Sequence, residues 1–109
     1  MNKIVLAIFL IFSFNITFSQ NTIDQNGLKQ GFWQENYQNG EVRYQGVFKD
    51  DLEQGLFKFF YTTGELKATK EFFNDSRACA THIFYRNGNI RASGLYMDKM
   101  KDSTWHYFN

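Results

Sequence analysis

The sequence of 109 residues contains no proline and only one cysteine, Cys79. A single thiol cannot form an internal disulfide, so disulfide-stabilised folds are excluded and stability must come from apolar burial and strand pairing. The absence of proline also means that no strand edge is blocked by a residue without an N–H group. The length is sufficient for one small domain.

Excess charge of one sign is also missing. Removal of residues 1–20 would take away Lys3, which reduces the 12 Lys+Arg to 11, against 11 Asp+Glu. Binding of duplex nucleic acid requires a basic excess on at least one face, and a formally neutral chain provides none. The sequence therefore predicts no nucleic-acid partner.

The first 20 residues predict a cleaved secretory signal. Lys3 precedes a short apolar run, Ile4 to Phe14, which small and polar residues follow. This order is typical of signal peptides. An uncleaved membrane anchor is the alternative, but a spanning helix needs about 20 apolar residues and this run is shorter. We expect a signal peptide at 1–20 and an exported domain at 21–109, periplasmic or secreted.

The rest of the chain repeats every 24 residues. The period predicts three units, 31–54, 55–78 and 79–102, followed by a half unit, 103–109. The positions that define the repeat carry glycine or an aromatic ring: Gly31, Trp33, Tyr37, Gly40, Gly46, Gly55, Phe57, Tyr61, Gly64, Tyr85, Gly88, Gly94 and Trp105.

Each unit predicts a β-hairpin. Asn39-Gly40, Thr63-Gly64 and Asn87-Gly88 suit two-residue loops, which need positive φ. The flanking segments alternate aromatic or β-branched residues with polar ones, as half-buried strands do, and no stretch has a helical period. Longer polar turns, "KDDLEQ", "FNDSRA" and "MDKMKD", join the hairpins. We predict an all-β antiparallel meander of stacked hairpins with seven strands, at 32–37, 41–48, 56–61, 65–72, 80–85, 89–96 and 104–108.

The pattern G-x-W-x-x-x-Y-x-N-G-x-V-x-x-x-G-x-F, from Gly31 to Phe48, resembles the MORN-repeat variant family of bacterial proteins, many of which are labelled antitoxin-like. The resemblance covers about residues 26–109. The third unit departs from it, because Cys79 replaces the leading glycine and Thr81 the tryptophan. The resemblance implies a sheet of stacked hairpins used for interaction, and other MORN proteins are linked to membranes and to protein scaffolding.

The hairpin register sorts the side chains onto two faces. It places Tyr37 opposite Val42 and Trp33 opposite Gly46, where we expect the Trp33 ring to cover the glycine. This apolar face is the predicted core. A single sheet can bury it only by curling, or under the N-terminal segment or a partner.

The opposite face presents cations and rings in alternation across the sheet. We define the candidate binding strip as Arg43, Phe60, Lys67, Phe84, Arg91 and Phe108. One interpretation is a ladder in which each cation lies beside a ring of the neighbouring strand. The other is a docking strip for an acidic or sugar-rich ligand or for a partner protein.

No set of residues predicts catalysis, a cofactor or a metal. His82 and His106 occupy equivalent positions two strands apart, so their backbones should be separated by roughly 9–10 Å, and no third ligand is evident. Asp50, Asn74 and Asp98 form a column that turn formation explains. The sequence therefore predicts a binding protein rather than an enzyme.

Three kinds of partner fit this interpretation. An unknown protein partner comes first, and attachment to an envelope glycan or lipid headgroup through the binding strip is the alternative. An antitoxin-like partnership with a toxin is a more distant one. The last strand, 104–108, has an unpaired edge, through which self-association is also expected.

We predict that the mature chain begins at Gln20 or Asn21, because the small residues Thr17 and Ser19 precede the cut. Intact-mass measurement of the protein from its native host checks this. Recovery from the membrane fraction of a chain that still starts at Met1 would contradict the signal-peptide prediction.

Overall fold

The computed structural model describes residues 20–109, so the predicted signal peptide lies, except for Gln20, outside the described residues. Residues 20–109 form one antiparallel sheet whose eight strands lie side by side in chain order. This meander confirms the predicted all-β fold class. No helix in this part of the chain could cross a membrane. The strands are β1 (Thr22–Ile23), β2 (Lys29–Asn36), β3 (Val42–Lys49), β4 (Leu52–Phe60), β5 (Leu66–Phe73), β6 (Ala78–Phe84), β7 (Ile90–Met97) and β8 (Met100–Tyr107).

The additional strand is β1, whose two residues are too few to give a sequence pattern. Thr22 pairs with Gln30 of β2, antiparallel. The Trp33 Nε1–H group donates to the Thr22 carbonyl at 3.2 Å. β1 therefore lies along the outer edge of β2 and fixes the orientation of the first large ring.

The loops at the three repeated Gly positions have three residues, not the predicted two. The Tyr37 N–H donates to the Glu41 carbonyl (2.8 Å), and the Gly40 N–H donates to the Tyr37 carbonyl (3.0 Å). Within this loop only Gly40 has positive φ, at 91°. Asn39 instead uses its side-chain oxygen to accept from the Glu41 N–H at 2.9 Å. A turn followed by a left-handed glycine is a common three-residue hairpin loop.

The third loop residue changes the register beside the loop. Asn36 lies opposite Val42, so the predicted pairing of Tyr37 with Val42 is wrong. The other units show the same shift, with the pairs Phe60–Leu66 and Phe84–Ile90. Farther from the loops the predicted register is confirmed: Trp33 lies opposite Gly46, and the pairs Glu35–Tyr44, Phe59–Ala68 and Ile83–Ala92 follow the same register.

Two of the three polar connections are tighter than predicted. Asp50 and Asp51 form a two-residue turn between Lys49 and Leu52, and both have positive φ (51° and 66°). The turn before Met100 has the same form. β4 and β8 consequently begin at Leu52 and Met100 rather than at the predicted 56 and 104. Only the middle connection, 74–77, is longer.

The repeated tyrosines link each hairpin to the next. The phenol groups of Tyr37, Tyr61 and Tyr85 donate to main-chain carbonyls of the following unit, each 23 residues later. The acceptors are Phe60 (2.6 Å), Phe84 (2.6 Å) and Phe108 (2.8 Å). A bond that joins neighbouring units requires the same residue at the same place in each of them, which accounts for the tyrosine spacing.

We predict that Trp33→Ala lowers the free energy of unfolding by about 3–5 kcal/mol, because the ring is 8% exposed and packs edge to face on Phe48. Chemical denaturation checks this. Phe32→Ala is the matched control, since this neighbouring ring is 37% exposed, and it should cost clearly less. Equal losses in the two variants would contradict the assignment of the core to the Trp33 side of the sheet.

Candidate functional site

One face of the sheet carries a row of rings in edge-to-face contact. The centroids of Trp33 and Phe48 are 6.1 Å apart, those of Phe48 and Phe57 5.2 Å, and those of Phe57 and Phe72 5.3 Å. Farther along the sheet, Tyr96 and Trp105 lie 5.0 Å apart in the same geometry. Such pairs stabilise a fold beyond the area they bury. We call this side of the sheet the aromatic face.

The rings of the aromatic face lie over small residues of the preceding strand. A Cβ atom added to Gly46 would be 2.5 Å from the Phe57 ring, and one added to Gly94 would collide with the Trp105 ring. The ring nearest to Gly46 is therefore that of Phe57 of β4, whereas the sequence predicted Trp33 as its cover. The cause is the strand bulge at this point, which places three residues of β4 opposite the glycine.

The row is interrupted at Thr81, which occupies the repeat position of Phe57 and Trp105. Lys70 lies directly opposite Thr81, in the position that is glycine in the other units. The two departures belong together, because a ring at 81 would meet the Lys70 side chain. We call the space over Thr81, between the rings of Phe72 and Tyr96, the gap.

The backbone differs at the gap as well. β5 and β6 pair without a register shift, whereas β3–β4 and β7–β8 are bulged. The bulges place Gly55 and Ser103 at positive φ (64° and 56°). Cys79 occupies the equivalent position and is buried. It is not among the described residues that have positive φ. Without the bulge, this position does not require the left-handed conformation that favours glycine.

Two adjoining hollows surround the gap. The first has a volume of 230 Å³, a floor of Ala68 and Thr81, and walls that include Phe59, Ile83 and Tyr96. The second, of 320 Å³, has Phe72 and Cys79 in its lining and carries the charged residues Glu53, Lys70 and Lys99. Lys70 and Tyr96 border both hollows, and we call the two hollows together the groove.

Lysine ammonium groups lie against the rings of this face. Lys70 Nζ is 5.3 Å from the Phe59 ring centroid and 5.3 Å from the Tyr96 ring centroid, so it contacts both of these rings. At the ends of the row, Lys29 lies 4.9 Å from Trp33 and Lys101 lies 4.8 Å from Trp105. A cation over a ring face is attracted to it. The face therefore combines apolar rings with positive charges.

The pKa of the Tyr44 hydroxyl is raised above its ordinary value, first by burial and then by the neighbouring Glu35 carboxylate. The phenol therefore stays protonated at a pH where a free tyrosine begins to ionise. Glu35 also lies 4.0 Å from Arg43, and both side chains are largely exposed. An exposed pair of this kind contributes little to stability.

The structure places the candidate binding strip along the row of loops. Phe60 and Phe84 are half-buried, whereas the three cations and Phe108 are exposed. Two of the cations have ring contacts, but with the repeated tyrosines rather than the strip phenylalanines: Lys67 with Tyr61 and Arg91 with Tyr85, each at 5.8 Å. The strip thus contains ladder contacts, and its role in binding stays a prediction.

The two histidines are exposed and lie two strands apart, with Ser93 paired between them. Among residues 20–109, no group of three or more His, Cys, Asp or Glu side chains is placed to hold a metal ion. Asp50 and Asp98 both lie in tight turns at positive φ. Asp98 also binds Arg77 at 3.0 Å, and this partner lowers the pKa of its carboxyl group.

β8 pairs with β7 alone among the described strands. Its course is broken by the bulge at Ser103, and it carries Lys101 and Asp102. Bulges and charged residues oppose pairing with another edge. Self-association through 104–108 stays a prediction.

In comparisons of this chain with known proteins, no family model, no curated protein and no solved structure matched. The resemblance to the MORN-repeat variant family stays a hypothesis that depends on the sequence motif.

Proposed function

We propose that this protein is a non-enzymatic, exported interaction module that binds a protein partner through its aromatic face. The observation that carries the proposal is that residues 20–109 form one sheet and no second layer. An apolar sheet face is ordinarily buried against another element. The rings toward β8 remain accessible, and Tyr107 is 65% exposed.

The composition of this surface supports a protein partner. Tyrosine and tryptophan are enriched where protein interfaces gain most of their binding free energy. Here Tyr96 and Trp105 stand beside Lys101, whose alkyl stem adds apolar area while its charge stays in water. A groove with rings and cations suits a partner surface that combines apolar and acidic side chains.

A second candidate function is attachment to an acidic envelope glycan or lipid headgroup. It is supported by the exposed cations Arg43, Lys67 and Arg91, which recur once per unit on the binding strip. Three cations at regular intervals can contact a repeated anionic surface simultaneously, so their effects combine.

Photo-cross-linking at adjacent residues on opposite faces tests the main proposal. Glu53 lines the groove on the aromatic face, and Gln54, the next residue, points to the other face beside Val47. We predict that p-benzoylphenylalanine at position 53, in the protein expressed in its native host, gives a discrete protease-sensitive adduct. The same group at position 54 is the control and should give none.

The second candidate is tested with the triple variant R43E/K67E/R91E. Loss of binding to anionic vesicles or envelope polysaccharide, with the position-53 adduct unchanged, would support a separate envelope contact. The opposite outcome has two parts: no adduct forms at position 53, and the unmodified protein binds vesicles or polysaccharide whereas the triple variant does not. This outcome would contradict the main proposal and favour the second.

A further inference from the structure

The aromatic face contains a row of rings from which one member is missing. Successive rings lie 5.2–6.1 Å apart from Trp33 to Phe72, and the contact resumes between Tyr96 and Trp105 at 5.0 Å. Between Phe72 and Tyr96 the repeat supplies Thr81 instead of a ring. A ring held over Thr81 would lie between two neighbours, as Phe48 and Phe57 do.

The size of the gap fits one ring. The hollow above Ala68 and Thr81 has a volume of 230 Å³. Apolar cavities of about 150 Å³ bind benzene, whereas pockets for drug-sized molecules hold about 300–1,000 Å³. The floor consists of two small buried side chains, since Ala68 and Thr81 are 8% and 1% exposed. A single aromatic side chain is therefore the occupant that this volume accepts.

The charges beside the gap determine which kind of residue can lie next to the partner's ring. Lys70 lines both hollows, and the first has no acidic residue in its lining. Lys99 adds a second cation in the second hollow, where Glu53 is the one carboxylate. A partner with an acidic group next to its ring would pair with these ammonium groups, whereas a basic one would be repelled.

We infer that the gap receives an aromatic side chain of the protein partner, followed directly by an acidic residue, and this inference rests on the proposed function. The partner ring completes the row between Phe72 and Tyr96. The acidic residue next to the partner ring forms an ion pair with the Lys70 ammonium group. In the free protein this group contacts the rings of Phe59 and Tyr96. The missing member of the repeat is thus the recognition site.

Blocked dipeptides provide the probe. N-acetyl-Trp-Glu-amide is titrated to millimolar concentration into the isotope-labelled full chain, and the amide resonances of Ala68, Thr81 and Ala92 are followed by NMR. We expect saturable shifts at these three residues. N-acetyl-Trp-Gln-amide should bind about tenfold more weakly, which corresponds to about 1.4 kcal/mol. N-acetyl-Leu-Glu-amide, which has the acid without the ring, should give no saturable shift.

Two variants separate the ring from the charge. K70G/T81W installs the Gly–Trp combination of Gly94 and Trp105, so it should fill the gap and abolish binding of the Trp-Glu dipeptide. Lys70→Met retains the stem and removes the charge, so it should remove the preference for Trp-Glu over Trp-Gln. If K70G/T81W does not fold, Ala68→Leu fills the gap from its floor and should have the same effect.

Three results would overturn the inference: no saturable shift with Trp-Glu, equal binding of Leu-Glu, or undiminished binding to the filled variants. The position-53 adduct tests the proposed function separately from these binding measurements. An adduct that persists in K70G/T81W would reject the gap as the recognition site and leave the interaction module intact. The loss of that adduct in the same variant, with its thermal melting transition retained, would support both.

Discussion

The contact on which this sheet depends is that of a large ring over a small residue of the neighbouring strand. Phe57 over Gly46 and Trp105 over Gly94 bring the ring so close that even a methyl group would collide. The close approach allows successive rings to meet edge to face, so the single sheet gains packing contacts within one face while the outer side of the rings stays uncovered. The bulge beside Gly46 is part of this contact, because it places Phe57 over the glycine.

The central hairpin shows what happens when this contact is absent. Lys70 and Thr81 replace the glycine and the ring together, the bulge disappears, and the connection at 74–77 becomes longer. The exchange leaves a floor of small buried side chains beneath the Lys70 cation. A repeat protein stabilised by contacts between neighbouring units can tolerate such a change in one unit, because the units on either side keep their own contacts. The departure from the repeat is therefore where a specific function is easiest to accommodate.

Much of the fold is readable from the sequence because the signals are local and repeated. The 24-residue period and the alternation of rings with polar residues predict the meander, the core face and most cross-strand pairs. The loop length is predicted wrongly, because Asn39-Gly40 fits both a two-residue turn and the observed three-residue loop, in which Asn39 accepts a hydrogen bond from Glu41. β1 has too few residues to give a pattern, and its place depends on the distant Trp33.

The candidate site is predicted less well than the fold. Cys79 and Thr81 are visible in the sequence as departures from the repeat, but their meaning depends on Lys70, which only the register of β5 and β6 brings opposite Thr81. The joint loss of the glycine at 70 and the ring at 81 is the one signal that could have identified the gap. The binding strip was easier to see because it repeats, and regular repetition also suits a structural ladder.

The ring-over-glycine contact is tested most directly by the proton chemical shifts of the glycines. An α-proton held against the face of an aromatic ring is shifted upfield by the ring current. We expect strong upfield shifts for the α-protons of Gly46 and Gly94, with cross-relaxation to the rings of Phe57 and Trp105, and an ordinary strand shift for Lys70. Ordinary shifts at both glycines, without contacts to those rings, would contradict it.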